Sequence, residues 1–157
     1  MGPGQGMNGY ADTSFLVSLF TSDSNSPAAH AALIEHPCTL LLTEWHDFEL
    51  ESALRLREFR GLGTPQETNA ALHLVQQGVS DGLLRRVQVD HSTTLTRARA
   101  LASKHGPTLG TRALDVLHVA LALELAVDEF FTFDRRQAAL RSVVAGRPAL
   151  PLSASAP

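Results

Sequence analysis

Short, continuously apolar runs separated by longer helix-patterned stretches limit what this chain can fold into. "TLLLT" (39–43) and "EFFTF" (129–133) carry apolar side chains at successive rather than alternate positions, as strands buried on both faces require. "GYAD" (9–12) and "LLRRVQV" (83–89) are further strand candidates, and "ALPLS" (149–153) reads as a weak edge strand. Helical patterns fill the intervals: "TSFLVSLF" from 13, "PAAHAALIEH" opened by Pro27 in its first turn, then 45–60, 65–79, 92–105, 112–127 and "RRQAALRSVV" from 135. Strands joined through helices need crossover connections. The expected architecture is a three-layer α/β/α sandwich around a mainly parallel five-stranded sheet.

The length of 157 residues and a hydrophobic fraction of 44% suit one domain with a real core. That domain is expected over 7–152, with "MGPGQG" (1–6) reading as a cloning remnant and 153–157 as a frayed tail. No apolar run reaches membrane-spanning length and no basic-then-apolar leader precedes "YADTSFLV", so a cytoplasmic location is expected. The single cysteine, Cys38, permits neither an internal disulfide nor a thiolate cluster and reads as a small buried hydrophobe. A net charge of −3 argues against holding nucleic acid by bulk positive charge. Twelve of the thirteen basic residues are arginine, which suits local bidentate phosphate contacts.

Ligand sites in parallel sheets lie at the carboxyl ends of strands, near the point where strand order reverses. Asp12 ends "GYAD" and Asp134 follows "FFTF", each directly before a helix. Either could simply cap that helix. Together they could also project from neighbouring strands into one crevice.

The segment "TEWHDFELESALRLREFRG" is rich in acids, and helix geometry sorts them. With Trp45 at zero and about 100° per residue, Phe48, Ser52, Ala53, Leu56 and Phe59 share its arc, with Glu49 near the middle. Asp47, Glu51 and Glu58 fall opposite, and Leu50 and Leu54 lie outside the apolar arc. Glu49 is therefore expected to face inward, with Glu44 as a minor rival. In "DVLHVALALELAV" the same construction surrounds Asp115 with Ala122, Ala126 and Val119, and sends Glu124 to the far side. With Thr111 as the expected N-cap, the helix dipole helps Asp115 by only about 0.3–1 kcal/mol. A buried carboxylate needs a partner: an ion pair with Arg112, a hydrogen bond to His118, or a metal.

Were Asp12, Glu49, Asp115 and Asp134 to converge, their repulsion would require a cation. All-oxygen ligation selects Mg²⁺ or Mn²⁺ over zinc. Hard divalent metals among carboxylates serve phosphoryl chemistry, which points to a nuclease.

The four acids in this order resemble the PIN-domain ribonucleases, specifically the VapC-type toxins of bacterial toxin–antitoxin pairs. The resemblance rests on "YADTSFLV" around Asp12, "ELESAL" from Glu49, "ALDVLHVALAL" around Asp115 and "FFTFD" ending at Asp134, and spans about residues 9 to 142. It implies a PIN fold binding one or two Mg²⁺ or Mn²⁺ ions and an endoribonuclease that uses metal-activated water, leaving a 5′-phosphate and a 3′-hydroxyl. Asp12 and Asp115 would be the principal metal ligands, with Asp134 and Glu49 completing the site directly or through water. Thr13 or Ser14 could offer a hydroxyl or amide to the site, and Thr132 matches a small polar residue the family often has there. It further implies an RNA substrate, a cognate antitoxin that inserts an arginine or a helix, and a homodimer.

His46 and His118 lack a second histidine at ligand spacing and read as structural or surface residues. Arg112 could neutralise the acids or meet substrate phosphate. Arg85, Arg86, Arg135 and Arg136 are candidate RNA contacts or simply solvated charge. Two further functions compete: a catalytically weak PIN scaffold that binds RNA or protein, and a phosphotransferase with Asp12 as nucleophile. The second lacks the aspartate usually found two residues on, a position held by Ser14.

Overall fold

The computed structural model describes residues 6–151; the expected tail at 153–157 and nearly all of the expected remnant lie outside the described residues. Eleven elements follow in the order β1 (Asn8–Ala11), α1 (Thr13–Phe20), α2 (Ser26–Glu35), β2 (Thr39–Leu42), α3 (Glu44–Phe59), α4 (Pro65–Ser80), β3 (Leu84–Arg86), α5 (His91–Leu109), α6 (Ala113–Glu124), β4 (Glu129–Phe131) and α7 (Arg135–Ala145). All neighbouring strands pair in parallel, in the spatial order β3-β2-β1-β4. Among the described residues the sheet therefore has four strands rather than the five expected, positions 152 and 153 of the expected fifth lying outside them. What was to be the fifth survives as a bridge between Leu150 and Phe131. The Leu150 amide donates to the Phe130 carbonyl and the Thr132 amide to the Leu150 carbonyl, but Pro151 has no N–H with which to extend the ladder.

Successive strand residues serve opposite layers. Ala11, Leu40, Leu42 and Phe131 pack with Phe15, Leu16, Ala29, Leu54 and Val75 from α1–α4. Tyr10, Leu41 and Phe130 pack with Val116, Val119, Leu121 and Leu140 from α6 and α7, and with Ala98 and Leu101 of α5. This is the three-layer arrangement, with an apolar strand face turned to each layer. Arg85 and Arg86 are exposed because β3 is the edge strand.

Helix α5 runs four residues past its expected end. Pro107 lies inside it, and Gly110, at φ 63°, closes it in the left-handed conformation that glycine takes without penalty. In α3 much of the apolar arc faces outward instead of inward: Phe48 is 68% and Phe59 87% exposed and Leu56 is exposed too, whereas Trp45 and Ala53 are half-buried. His46, Glu49, Leu50 and Leu54 fill the buried side. Glu49 sits at the seam between the two faces, so its inward placement holds although the arc used to place it does not. Cys38 is half-buried rather than buried, and its thiol is pushed up to about 11 by burial and by the charges of Glu129 and Asp128.

Candidate active site at the carboxyl edge of the sheet

Strand order reverses between β1 and β4, because β2 and β3 both lie on the other side of β1. Asp12 follows β1 and Asp134 follows β4, so the two flank that switch point. Both serve as helix N-caps. Asp12 accepts from the Phe15 amide at 2.9 Å and opens α1, while Asp134 accepts from the Arg136 and Gln137 amides through Oδ1 and opens α7. Capping and lining a crevice are thus the same placement: a helix that begins where a parallel strand ends must put its cap at the carboxyl edge.

A connected set of polar groups joins them. Thr132 donates its hydroxyl to Asp12 Oδ2 at 2.8 Å and accepts the Asp134 amide at 2.9 Å. Ser14 Oγ lies 2.9 Å from both Asp12 oxygens. Gln137, buried in α7, donates its side-chain amide to Asp115 Oδ1 at 3.3 Å. Asp115 Oδ2 accepts the Arg112 amide at 2.9 Å. Arg112, not Thr111, is therefore the N-cap of α6, and Asp115 occupies its third position. Neither the Arg112 guanidinium nor His118 holds Asp115; a backbone amide and Gln137 do. The Arg112 side chain is exposed, as are Arg135 and Arg136.

Glu49 enters from α3, and its Oε2 accepts the Thr13 hydroxyl at 2.5 Å and lies 2.7 Å from His118 Nε2. His118 Nδ1 in turn lies 2.7 Å from the Tyr10 hydroxyl. His46 contacts the Ala11 carbonyl at 2.9 Å through Nε2 and accepts the Thr43 amide at 3.0 Å through Nδ1, tying the start of α3 to the residue before Asp12. Both histidines are buried, so neither lies at the surface. Glu44, the rival acid, is exposed and paired with His91.

Electrostatics separate these acids. Burial raises the Asp12 carboxyl above its ordinary value, against the lowering effects of the Phe15, Thr132 and Ser14 hydrogen bonds. Burial also pushes Glu49 upward, but the hydrogen bonds from His118 and the Thr13 hydroxyl outweigh it and hold Glu49 below the ordinary range. Tyr10 is raised well above its usual value, by burial first and then by Glu49 and Asp12. His46 is lowered to about 4, chiefly by burial.

The donor set is oxygen only and carboxylate-rich, which suits a hard divalent cation. Among the described residues, Glu49 Oε1 is buried without a partner, and Asp134 accepts its two capping amides through Oδ1. Among the described residues, however, no three acids, histidines or cysteines are gathered closely enough to form a cage. The residues fit such an ion chemically, as an open edge rather than an enclosed nest.

Sequence reasoning did not single out Gln137, Tyr10 or a role for His118 towards Glu49. Two signals were present: Tyr10 and Asp12 share one face of a strand, and His118 lies at i+3 from Asp115. Neither indicates the partner 69 or 108 residues away.

The parallel α/β/α domain thus brings acids from the end of β1, from α3, from α6 and from the β4–α7 junction to one strand-end edge. The chain belongs to the PIN domain family, whose description matches residues 10–143. Its fold is similar to that of VapC20 from Mycobacterium tuberculosis, described as a sarcin-ricin loop cleaving toxin, at 17% identity and a TM-score of 0.61 over 83% of this chain and 93% of that one. PAE2754 from Pyrobaculum aerophilum is similar at 19% identity and a TM-score of 0.56, over 85% and 79%. FitAcB from Neisseria gonorrhoeae is similar at 15% identity and a TM-score of 0.58, over 85% and 93%. A search of curated proteins finds no significant match. Among the described residues, no helix is long and apolar enough to cross a membrane.

Proposed function

We propose that the chain is a divalent-metal-dependent endoribonuclease acting in the cytoplasm as the toxin of a toxin–antitoxin pair. The observation that carries this reading is the linked edge of Asp12, Thr132, Asp134, Gln137 and Asp115, with Glu49 beside it offering a buried, unpartnered oxygen. PIN domains are generally nucleases, and VapC20 is described as a sarcin-ricin loop cleaving toxin.

Asp12, Asp115 and Asp134 would hold Mg²⁺ or Mn²⁺, with Glu49 completing the set directly or through water. A cation bound there supplies a water made acidic enough to attack and offsets charge on the phosphodiester. The chain's own residues do the rest. Ser14 and Thr132 fix the Asp12 carboxylate, Gln137 and the Arg112 amide fix Asp115, and exposed Arg112, Arg135 and Arg136 are free to meet flanking phosphates. Arg85 is less suited, since it contacts Asn8 at the opposite, amino end of β1, and Arg86 pairs with Asp47.

Protein partners are supported by apolar surface. Phe48, Leu56, Phe59 and Leu62 are exposed along α3 and just beyond it, and a groove of 410 Å³ lined by Leu19, Phe20, Leu54, Leu62, Ala71 and Leu74 contains none of the four acids. A second copy and an antitoxin are the partners proposed for these surfaces.

The alternative, a PIN scaffold that binds RNA or protein without cutting, draws support from the capping duties of Asp12 and Asp134 and the open carboxylate edge. Mapping RNA ends after incubation with Mg²⁺ or Mn²⁺ distinguishes the two. Hydrolysis by activated water leaves 5′-phosphate and 3′-hydroxyl ends. Intact RNA supports the scaffold, and 2′,3′-cyclic phosphate ends overturn the proposed chemistry.

A further inference from the structure

The Tyr10–His118 pair is buried, polar and not used by the chemistry above. Tyr10 is 0% and His118 3% exposed. The Tyr10 hydroxyl contacts His118 Nδ1, and His118 Nε2 contacts Glu49 Oε2, each at 2.7 Å.

Counting donors fixes the protons. A phenol carries one hydrogen, and a buried hydroxyl that fails to donate it incurs the cost of an unsatisfied group. Among the described residues, His118 Nδ1 is the contact the Tyr10 hydroxyl makes, so Nδ1 must offer a lone pair. The ring is then neutral with its hydrogen on Nε2, which points at the Glu49 carboxylate. Oε2 thus takes two donors, Nε2–H and the Thr13 hydroxyl, while the buried Oε1 takes none.

We infer that Tyr10 and His118 are positioning residues that lock Glu49 by its Oε2 and so present Oε1 to the carboxylate edge. His118 itself is not a ligand, because both ring nitrogens are engaged. His46, whose ring centre lies 4.7 Å from that of Tyr10, has both nitrogens engaged as well and packs the relay from behind. The purpose assigned to Oε1 rests on the nuclease reading; the tautomer does not. Partners that orient a ligating group typically change metal affinity by about tenfold to a hundredfold when removed.

Two measurements on the full chain test this. The first is a long-range ¹H–¹⁵N correlation of ¹⁵N-histidine-labelled wild type near neutral pH, which needs no variant. It is expected to show His118 with a protonated Nε2 and a lone-pair Nδ1, moving to mixed tautomers in Tyr10→Phe. A wild-type ring protonated on Nδ1, or on both nitrogens, overturns the relay. The second is Mn²⁺ affinity, read by water-proton relaxation, for wild type, Tyr10→Phe, His118→Gln, Glu49→Gln and the double variant Tyr10→Phe/Glu49→Gln. Tyr10→Phe is expected to weaken binding about tenfold, and the double variant no further than Glu49→Gln alone. His118→Gln, whose amide still reaches Glu49, is expected to stay closer to wild type than Tyr10→Phe. Losses that multiply in the double variant overturn positioning through Glu49. If wild type binds no Mn²⁺ yet shows the expected ring, the nuclease reading and the purpose of Oε1 fall together, and the Tyr10–His118–Glu49 relay stands.

Discussion

Acidification should strip stability from this fold through one residue, His46. Its imidazole accepts the Thr43 amide on Nδ1, and its Nε2 meets the Ala11 carbonyl, so it is held neutral. Burial lowers it from 6.5 to about 4, while the Ala11 contact and the charges of Glu49 and Asp47 pull weakly the other way. Because the folded value lies below the unfolded one, the unfolded chain binds the extra proton first. The stability His46 contributes is complete above pH 6.5 and is lost as pH falls towards 4. At about 1.4 kcal/mol for each tenfold change in proton affinity, the loss comes to about 3 kcal/mol. That is a large share of a typical domain's 5–15 kcal/mol. Asp12, raised in the fold, changes stability in the opposite sense: its folded form takes up a proton more readily, so acid relieves its cost. Urea unfolding at steps from pH 7.5 to pH 4, for wild type and His46→Asn, isolates the histidine. Asparagine can still accept the Thr43 amide but has nothing to titrate. Wild type should lose about 3 kcal/mol more than the variant across the window, and parallel curves would refute the assignment.

Three further outcomes follow from particular contacts. A methyl group added at Gly9 in the central strand would meet Cys38 Sγ at 2.5 Å, Leu40 at 3.0 Å and Phe131 at 3.1 Å; Gly9→Ala should cost about 1–3 kcal/mol in urea unfolding, with part recovered in Gly9→Ala/Cys38→Ala. Asp134→Ala removes the cap of α7 and should cost about 1 kcal/mol, whereas Asp134→Ser should keep most of that stability and, on the proposed function, still lose RNA cleavage. Glu49→Gln should reduce cleavage at least tenfold, on the scale of general catalytic contributions, while Glu44→Gln, exposed and paired only with His91, should leave it unchanged in the same assay.

The layers were legible because parallel strands covered by helices on both faces read as unbroken apolar runs, and "TLLL" and "EFF" have no other comfortable home. The strand-end aspartates were legible for the same topological reason. The fifth strand was over-read because apolarity in "ALPLS" says nothing about hydrogen bonding, and Pro151 cannot donate. In α3 the hydrophobic arc misled because Phe48 and Phe59 face solvent, while Leu50 and Leu54 turn inward among polar neighbours. Asp115 was noticed as a misplaced charge, but its holders were not: a backbone amide three residues back, and Gln137 from a helix beyond the next strand. Glu49 was found by a construction whose facing was wrong, and its partner His118, itself in contact with Tyr10, meets it only through the folded sheet.

The measurement that bears most directly on the proposed function is RNA cleavage with Mg²⁺ or Mn²⁺, with and without EDTA, comparing wild type with Asp115→Asn. Asparagine keeps an acceptor for the Arg112 amide and close to the same volume, so charge is removed with little change in packing. Cleavage by wild type that EDTA abolishes and the variant lacks is the result expected. Equal cleavage by the two proteins, or cleavage that survives the chelator, would contradict a metal held by these carboxylates.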